Sequence, residues 1–84
     1  MNKAQIMIVE GESNIRRFVR IAREQEGMAV IEASTLAQAR MDAATRRPDL
    51  MIVDLGLPDG DGKDLIRDLR GWVYSPILVL SARD

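Results

Sequence analysis

Eighty-four residues, 46% hydrophobic and 30% charged, suit one small soluble domain near the lower end of what folds alone, and exclude a disordered chain. With no Cys and no His, disulfides, thiolate catalysis, zinc–thiolate sites, an imidazole base and a phosphohistidine on this chain are all excluded. A net charge of -1 gives no electrostatic reason to expect nucleic acid or an acidic membrane as partner. No apolar run approaches the roughly 18 residues of a membrane span, and the N-terminus lacks a signal-peptide apolar region. A cytoplasmic location is therefore expected.

The pattern then alternates along the chain. Residues 4–9 read as a strand buried on both faces, because a continuous Ile/Val run suits a parallel strand covered by helices. Ile15, Phe18, Val19 and Ala22 follow at i, i+3, i+4 and i+7, the apolar stripe of an amphipathic helix. Ser13 is the expected N-cap and Gly27 the expected stop, with Arg16, Arg20 and Arg23 on the outward side. Ala29-Val30-Ile31-Glu32-Ala33 is shorter and partly polar, as an edge strand is. Ser34 or Thr35 caps a second helix over 35–46 that turns Leu36, Ala39 and Ala43 inward. Pro48 closes it before a strand over 49–53. A Gly/Pro/Asp loop follows, then a third short helix marked by Leu65, Ile66 and Leu69, ending near Gly71. Pro76 leads into a last strand, Ile77-Leu78-Val79-Leu80.

Three of these apolar runs end abruptly in polar groups: the first in Glu10, the third in Asp54, the last in Ser81. Strand–helix alternation of this kind demands right-handed crossovers and a parallel sheet with helices on both faces. Ligands bind such sheets at the carboxyl ends of the strands. Glu10, Asp54 and Ser81 all fall at that edge, and one shared pocket is expected. Taken singly, Asp54 reads equally well as a strand terminator and Ser81 as a capping hydroxyl.

Two phosphate or metal motifs fail. Gly62-Lys63 is followed by Asp64 where a P-loop needs Ser or Thr, and the required first glycine would stand at Leu57. Counted as a calcium loop from Asp59, the fifth position is Lys63 and the twelfth is Arg70. Arg16, Arg17, Arg20 and Arg23 read as a solvated helix face, diluted by Glu24 and Glu26.

Three segments carry a family likeness: Ile6-Met7-Ile8-Val9-Glu10, then Pro48 through Asp54-Leu55-Gly56-Leu57-Pro58-Asp59-Gly60-Asp61-Gly62, and Pro76 through Ser81-Ala82-Arg83. With Asn14-Ile15-Arg16-Arg17-Phe18, they resemble the receiver domain of OmpR-type response regulators, a flavodoxin-like (CheY-like) three-layer α/β fold phosphorylated on aspartate by a partner histidine kinase. The resemblance covers all 84 residues and implies an incomplete fold: four parallel strands in the order 2-1-3-4 and three helices, without the family's fourth helix, fifth strand, fifth helix or a DNA-binding domain. It implies a signalling module controlling transcription, not an enzyme. Asp54 would be the phosphoacceptor and Ser81 the switch hydroxyl on a phosphoryl oxygen. Glu10, Asp54 and the Gly56 carbonyl would hold Mg²⁺, and no other cofactor is implied.

Two departures bear on that chemistry. The family places a second acid directly after the first, and Gly11 stands there instead. Mg²⁺ uses few protein carboxylates, so loss of one should weaken the site; Glu12 is the nearest substitute and is not the favoured one. The lysine of the absent fifth strand is also missing, and Lys63 follows the wrong loop to replace it. Impaired phosphorylation at Asp54 is therefore expected, and a phosphorylation-independent pseudo-receiver acting as an interaction module is the alternative. A flavin or nucleotide binder is disfavoured by the acidic Glu10-Gly11-Glu12. The apolar edge of the fourth strand is expected to drive self-association.

Overall fold

The structure, a computed structural model, describes residues 3–71 and 73–80. Four parallel strands form the main sheet: β1 (Gln5–Val9), β2 (Ala29–Ala33), β3 (Leu50–Val53) and β6 (Ile77–Val79). Their spatial order is β2-β1-β3-β6, the expected 2-1-3-4. Three helices connect them: α1 (Ser13–Gln25), α2 (Leu36–Arg46) and α3 (Gly62–Leu69). Inside the loop after β3, two short strands, β4 (Gly56–Leu57) and β5 (Gly60–Asp61), pair antiparallel as a miniature hairpin. The sequence predicts only a loop here, since two-residue strands are too short to show alternation.

Register assigns each strand residue to a face. Met7 pairs with Ile31 and Met51, and Val9 with Ala33 and Val53. These residues share one buried cluster with Leu36, Ala39 and Ala43 of α2 and Leu65 and Leu69 of α3. Successive strand residues face opposite sides, so Ile6, Ile8, Ile52 and Leu78 lie on the other face, which α1 covers over β1 and β2. Val9, Met51 and Val53 are fully buried, as are Ile6 and Ile8, which is why β1 and β3 read as unbroken apolar runs.

Helix α1 departs from expectation in two ways. Its N-cap is Glu12, whose Oε2 accepts the Ile15 N–H at 2.7 Å, so Ser13 is the first helical residue and not the cap. The face turned to the sheet is also rotated by about one residue, placing Arg16, Val19, Arg20 and Arg23 inward and half-buried. Arg16 Nε and Arg20 Nη1 both hold Glu32 on β2, at 3.0 and 3.1 Å. Arg23 pairs with Glu26, the residue that caps the end of its helix. The three arginines are thus not an outward face. Ile15 and Phe18, expected inside, are 42% and 74% exposed.

The helix ends follow their residues more closely. Gly27 (φ 85°) receives the chain after α1, with its N–H on the Glu24 carbonyl and the Met28 N–H on that of Arg23. These bonds satisfy carbonyls that the helix itself leaves open. Thr35, not Ser34, caps α2 by accepting the Gln38 N–H. Asp61 caps α3 by accepting the Lys63 N–H at 2.9 Å.

Candidate functional site: an acid pair at the strand ends

Parallel pairing brings the ends of β1 and β3 level. Val9 and Val53 are register partners, and the Asp54 N–H donates to the Val9 carbonyl at 2.8 Å. Glu10 leaves β1 one residue past the same level, its own N–H on the Ala33 carbonyl at 3.0 Å. Both acids are buried, Glu10 at 3% and Asp54 at 4% exposure, which is a costly location for charge.

Glu10 bears that cost visibly. Burial raises its carboxyl above the usual carboxylate range; the Glu12 N–H, donated to Oε2 at 2.9 Å, opposes the rise, and the facing Asp54 adds to it. Asp54 Oδ1 accepts a long bond from the Gly56 N–H at 3.4 Å. Among the described residues, no Lys or Arg side chain pairs with either carboxylate. Arg16 Nη1 donates to the Glu10 backbone carbonyl at 2.8 Å and so fixes the main chain that presents the acid.

The loop after Asp54 is shaped by close approach. A β-carbon on Gly62 would stand 2.5 Å from the Asp54 carbonyl oxygen and 2.9 Å from Leu55 Cα, so only glycine lets α3 start against the end of β3. The Gly62 N–H donates to the Leu55 carbonyl at 2.7 Å, closing the base of the hairpin that carries Gly56. At its tip Pro58 packs over Gly11.

The family's divalent cation can be tested against these donors. Two neighbouring hard carboxylates, Glu10 and Asp54, suit Mg²⁺, which takes one or two protein carboxylates and keeps several waters. A bound cation would offset the burial cost that lifts Glu10. The residues therefore fit the ion. Among the described residues no cluster of three or more His, Cys, Asp or Glu side chains converges, so much of its shell would be water. Of the three sequence-predicted side chains, Glu10 and Asp54 are brought together, while Ser81 lies outside the described residues. The Leu80 N–H does donate to the Val53 carbonyl at 2.9 Å, which aligns the end of β6 with that of β3.

A family model described as the response regulator receiver domain matches residues 6–84. The chain belongs to that family. It is 60% identical over 78 residues to the KDP operon transcriptional regulatory protein KdpE of Escherichia coli K12, covering 93% of this chain and 35% of that protein. It is 46% identical over 78 residues to the transcriptional regulatory protein KdpE of Mycobacterium tuberculosis H37Rv, covering 93% of this chain and 34% of that one. Among solved structures, the BeF3-activated N-terminal receiver domain of Klebsiella pneumoniae RstA superposes with a TM-score of 0.89 at 31% identity, covering 95% of this chain and 68% of that one. The chain thus spans about a third of the length of the curated relatives it matches. It is a KdpE-like receiver domain of a two-component system. No helix among the described residues is long and apolar enough to cross a membrane.

Proposed function

We propose that this receiver accepts a phosphoryl group on Asp54 from a sensor histidine kinase, in the cytoplasm and in the service of transcriptional control, and that Gly11 weakens the reaction. The observation that carries the reading is the buried Glu10–Asp54 pair, level at the ends of two adjacent parallel strands.

The chemistry follows from that placement. An Asp54 carboxylate oxygen attacks phosphorus in line, the P–O bond forms as the P–N bond of the donor phosphohistidine breaks, and the imidazole leaves with the electron pair. Glu10, Asp54 and the Gly56 carbonyl would hold Mg²⁺, which would supply neutralisation of the phosphoryl charge. Glu10 holds its position through the Glu12 N–H and through the Arg16 grip on its backbone. Ser81 would offer its hydroxyl to a phosphoryl oxygen. The transfer is stoichiometric, one phosphoryl per chain, so the domain acts as a signal carrier and not as an enzyme with turnover.

Incubation with a small phosphodonor and Mg²⁺, followed by intact mass, tests the proposal. A phosphate adduct that is absent in Asp54→Asn is the expected outcome, at low occupancy. No adduct at saturating Mg²⁺ would instead support the second reading, a phosphorylation-independent interaction module. Gly11, with Pro58 packed against it, is the feature that favours that alternative. Either way, β6, which among the described residues pairs only with β3, supports self-association of the 84-residue chain.

A further inference from the structure

The hairpin that follows Asp54 is tethered at its tip by a carboxylate that stands outside the acid pocket. Asp59 Oδ1 accepts the Leu36 N–H at 2.7 Å and Oδ2 accepts the Ala37 N–H at 3.2 Å. Thr35 Oγ1 takes the next N–H, that of Gln38, at 3.1 Å, and the helical ladder begins with Ala39 on the Thr35 carbonyl. Two of the donors that the start of α2 leaves open are therefore satisfied from a loop 22 and 23 residues away.

We propose that Asp59 is a positioning residue for the acid pocket: by tying the tip of the β4–β5 hairpin to the start of α2, it sets where the Gly56 carbonyl and the Pro58 ring stand relative to Glu10. The proposal rests on the reading of Glu10, Asp54 and Gly56 as a Mg²⁺ site. Only two register pairs hold the hairpin together, Gly56 with Asp61 and Leu57 with Gly60. A two-stranded unit this short has no stability of its own, so its place is decided by what anchors it. Its base is fixed by the Gly62 bond to Leu55. Its tip is fixed by Asp59 and by Leu36, whose Cδ1 lies 2.6 Å from where a Gly60 β-carbon would stand. Gly56 sits between these anchors, and Pro58 touches Gly11 beside Glu10. A change at the tip is thus transmitted to the pocket through a chain of three residues.

The plainer role, a cap for α2 and nothing more, is separable because the helix has a second cap. Thr35 stabilises the same helix end without touching the hairpin. The experiment compares Asp59→Ala, Asp59→Asn and Thr35→Ala in the full 84-residue chain by calorimetric Mg²⁺ titration and by the amide resonances of Gly11 and Gly56 without metal. Asp59→Ala should weaken Mg²⁺ binding about tenfold and move both glycine resonances. Asp59→Asn keeps one acceptor oxygen and should recover most of the affinity. Thr35→Ala should lower the melting temperature while leaving Mg²⁺ affinity and both glycines unchanged. Equal effects of Asp59→Ala and Thr35→Ala on the metal, or unmoved glycine resonances in Asp59→Ala, overturn the proposal. A parent chain that binds no Mg²⁺ removes the metal reading instead, and the glycine resonances then decide the placement by themselves.

Discussion

Pro58 occupies the space beside Gly11: a β-carbon added there would lie 3.0 Å from Pro58 Cδ and 3.7 Å from the Ser34 carbonyl oxygen. Gly11 brings no side chain to the acid pair, and the hairpin tip fills the space beside it. Gly11→Asp should strengthen Mg²⁺ binding by supplying a carboxylate, yet lower metal-free stability by about 1 kcal/mol as the ring is pushed aside. Combining it with Pro58→Ala should return part of that stability and keep the gain in affinity. Calorimetric titration and urea melts read both quantities. Unchanged Mg²⁺ affinity in both backgrounds would show that Gly11 is not what weakens the site.

Two carboxylates should shape the acid limb of stability in opposite senses. Glu10 titrates above its unfolded value, chiefly through burial, so the folded state binds its proton more tightly. Stability then falls as pH rises from the unfolded to the folded pKa, and the full penalty remains above that window. Asp59 titrates below its unfolded value because of the Leu36 N–H. Its contribution is complete above the unfolded pKa and is lost as pH falls through the folded one. Glu10→Gln should therefore raise the metal-free melting temperature at neutral pH, and Mg²⁺ should no longer increase it. Asp59→Asn should lower the melting temperature at neutral pH and bring it closer to the parent's in strong acid. A neutral-pH loss of stability in Glu10→Gln would contradict the burial penalty assigned to that acid.

Much of this architecture is legible in the residues, for physical reasons that also explain the misses. Ile6 to Val9 and Leu50 to Val53 announce central strands because both their faces are covered. Glu10 and Asp54 announce a buried acid pair at the strand ends because each ends such a strand. Of the stripe Ile15, Phe18, Val19 and Ala22, the last two are half-buried as expected, but Ile15 and Phe18 are exposed, because periodicity identifies an apolar face without saying what covers it. Here Glu32 on β2 draws Arg16 and Arg20 toward the sheet and turns Phe18 outward. The Asp59 tether carries no local signal at all, since its partners Leu36 and Ala37 lie 23 and 22 residues away. Gly11 could be recognised as a departure from the family, but Pro58 as its neighbour could not.

Gly62 is the strictest position in the loop. Its missing β-carbon would meet backbone, not a yielding side-chain tip: the Asp54 carbonyl oxygen at 2.5 Å and Leu55 Cα at 2.9 Å. Gly62→Ala must displace α3 from the end of β3, with Leu65 and Leu69 leaving a fully buried core. The expected cost is about 3 kcal/mol, at the upper end of overpacking effects, read as a shift in urea midpoint. Gly71→Ala is the control, because nothing lies within 4 Å of the β-carbon it would add. Equal midpoints for the two variants would mean that the start of α3 is free to adjust.

The edge of β6 offers the last test. Among the described residues β6 pairs only with β3, and Leu78 and Val79 are 55% and 51% exposed. An apolar strand with one unpaired side is a template for a second chain. Self-pairing across a two-fold axis would satisfy both copies at once and close the assembly. The 84-residue chain should therefore sediment as a dimer or larger species whose proportion grows with concentration. Leu78→Lys places a charge on that edge, at a surface position where the monomer tolerates it, and should shift the chain to monomer with little change in melting temperature. Phe18→Lys, on the exposed surface of α1 over β1 and β2, separates edge pairing from face packing. Dissociation by the Phe18 change with none by the Leu78 change would relocate the interface to the helix, and a parent that sediments as a monomer at every concentration would eliminate both.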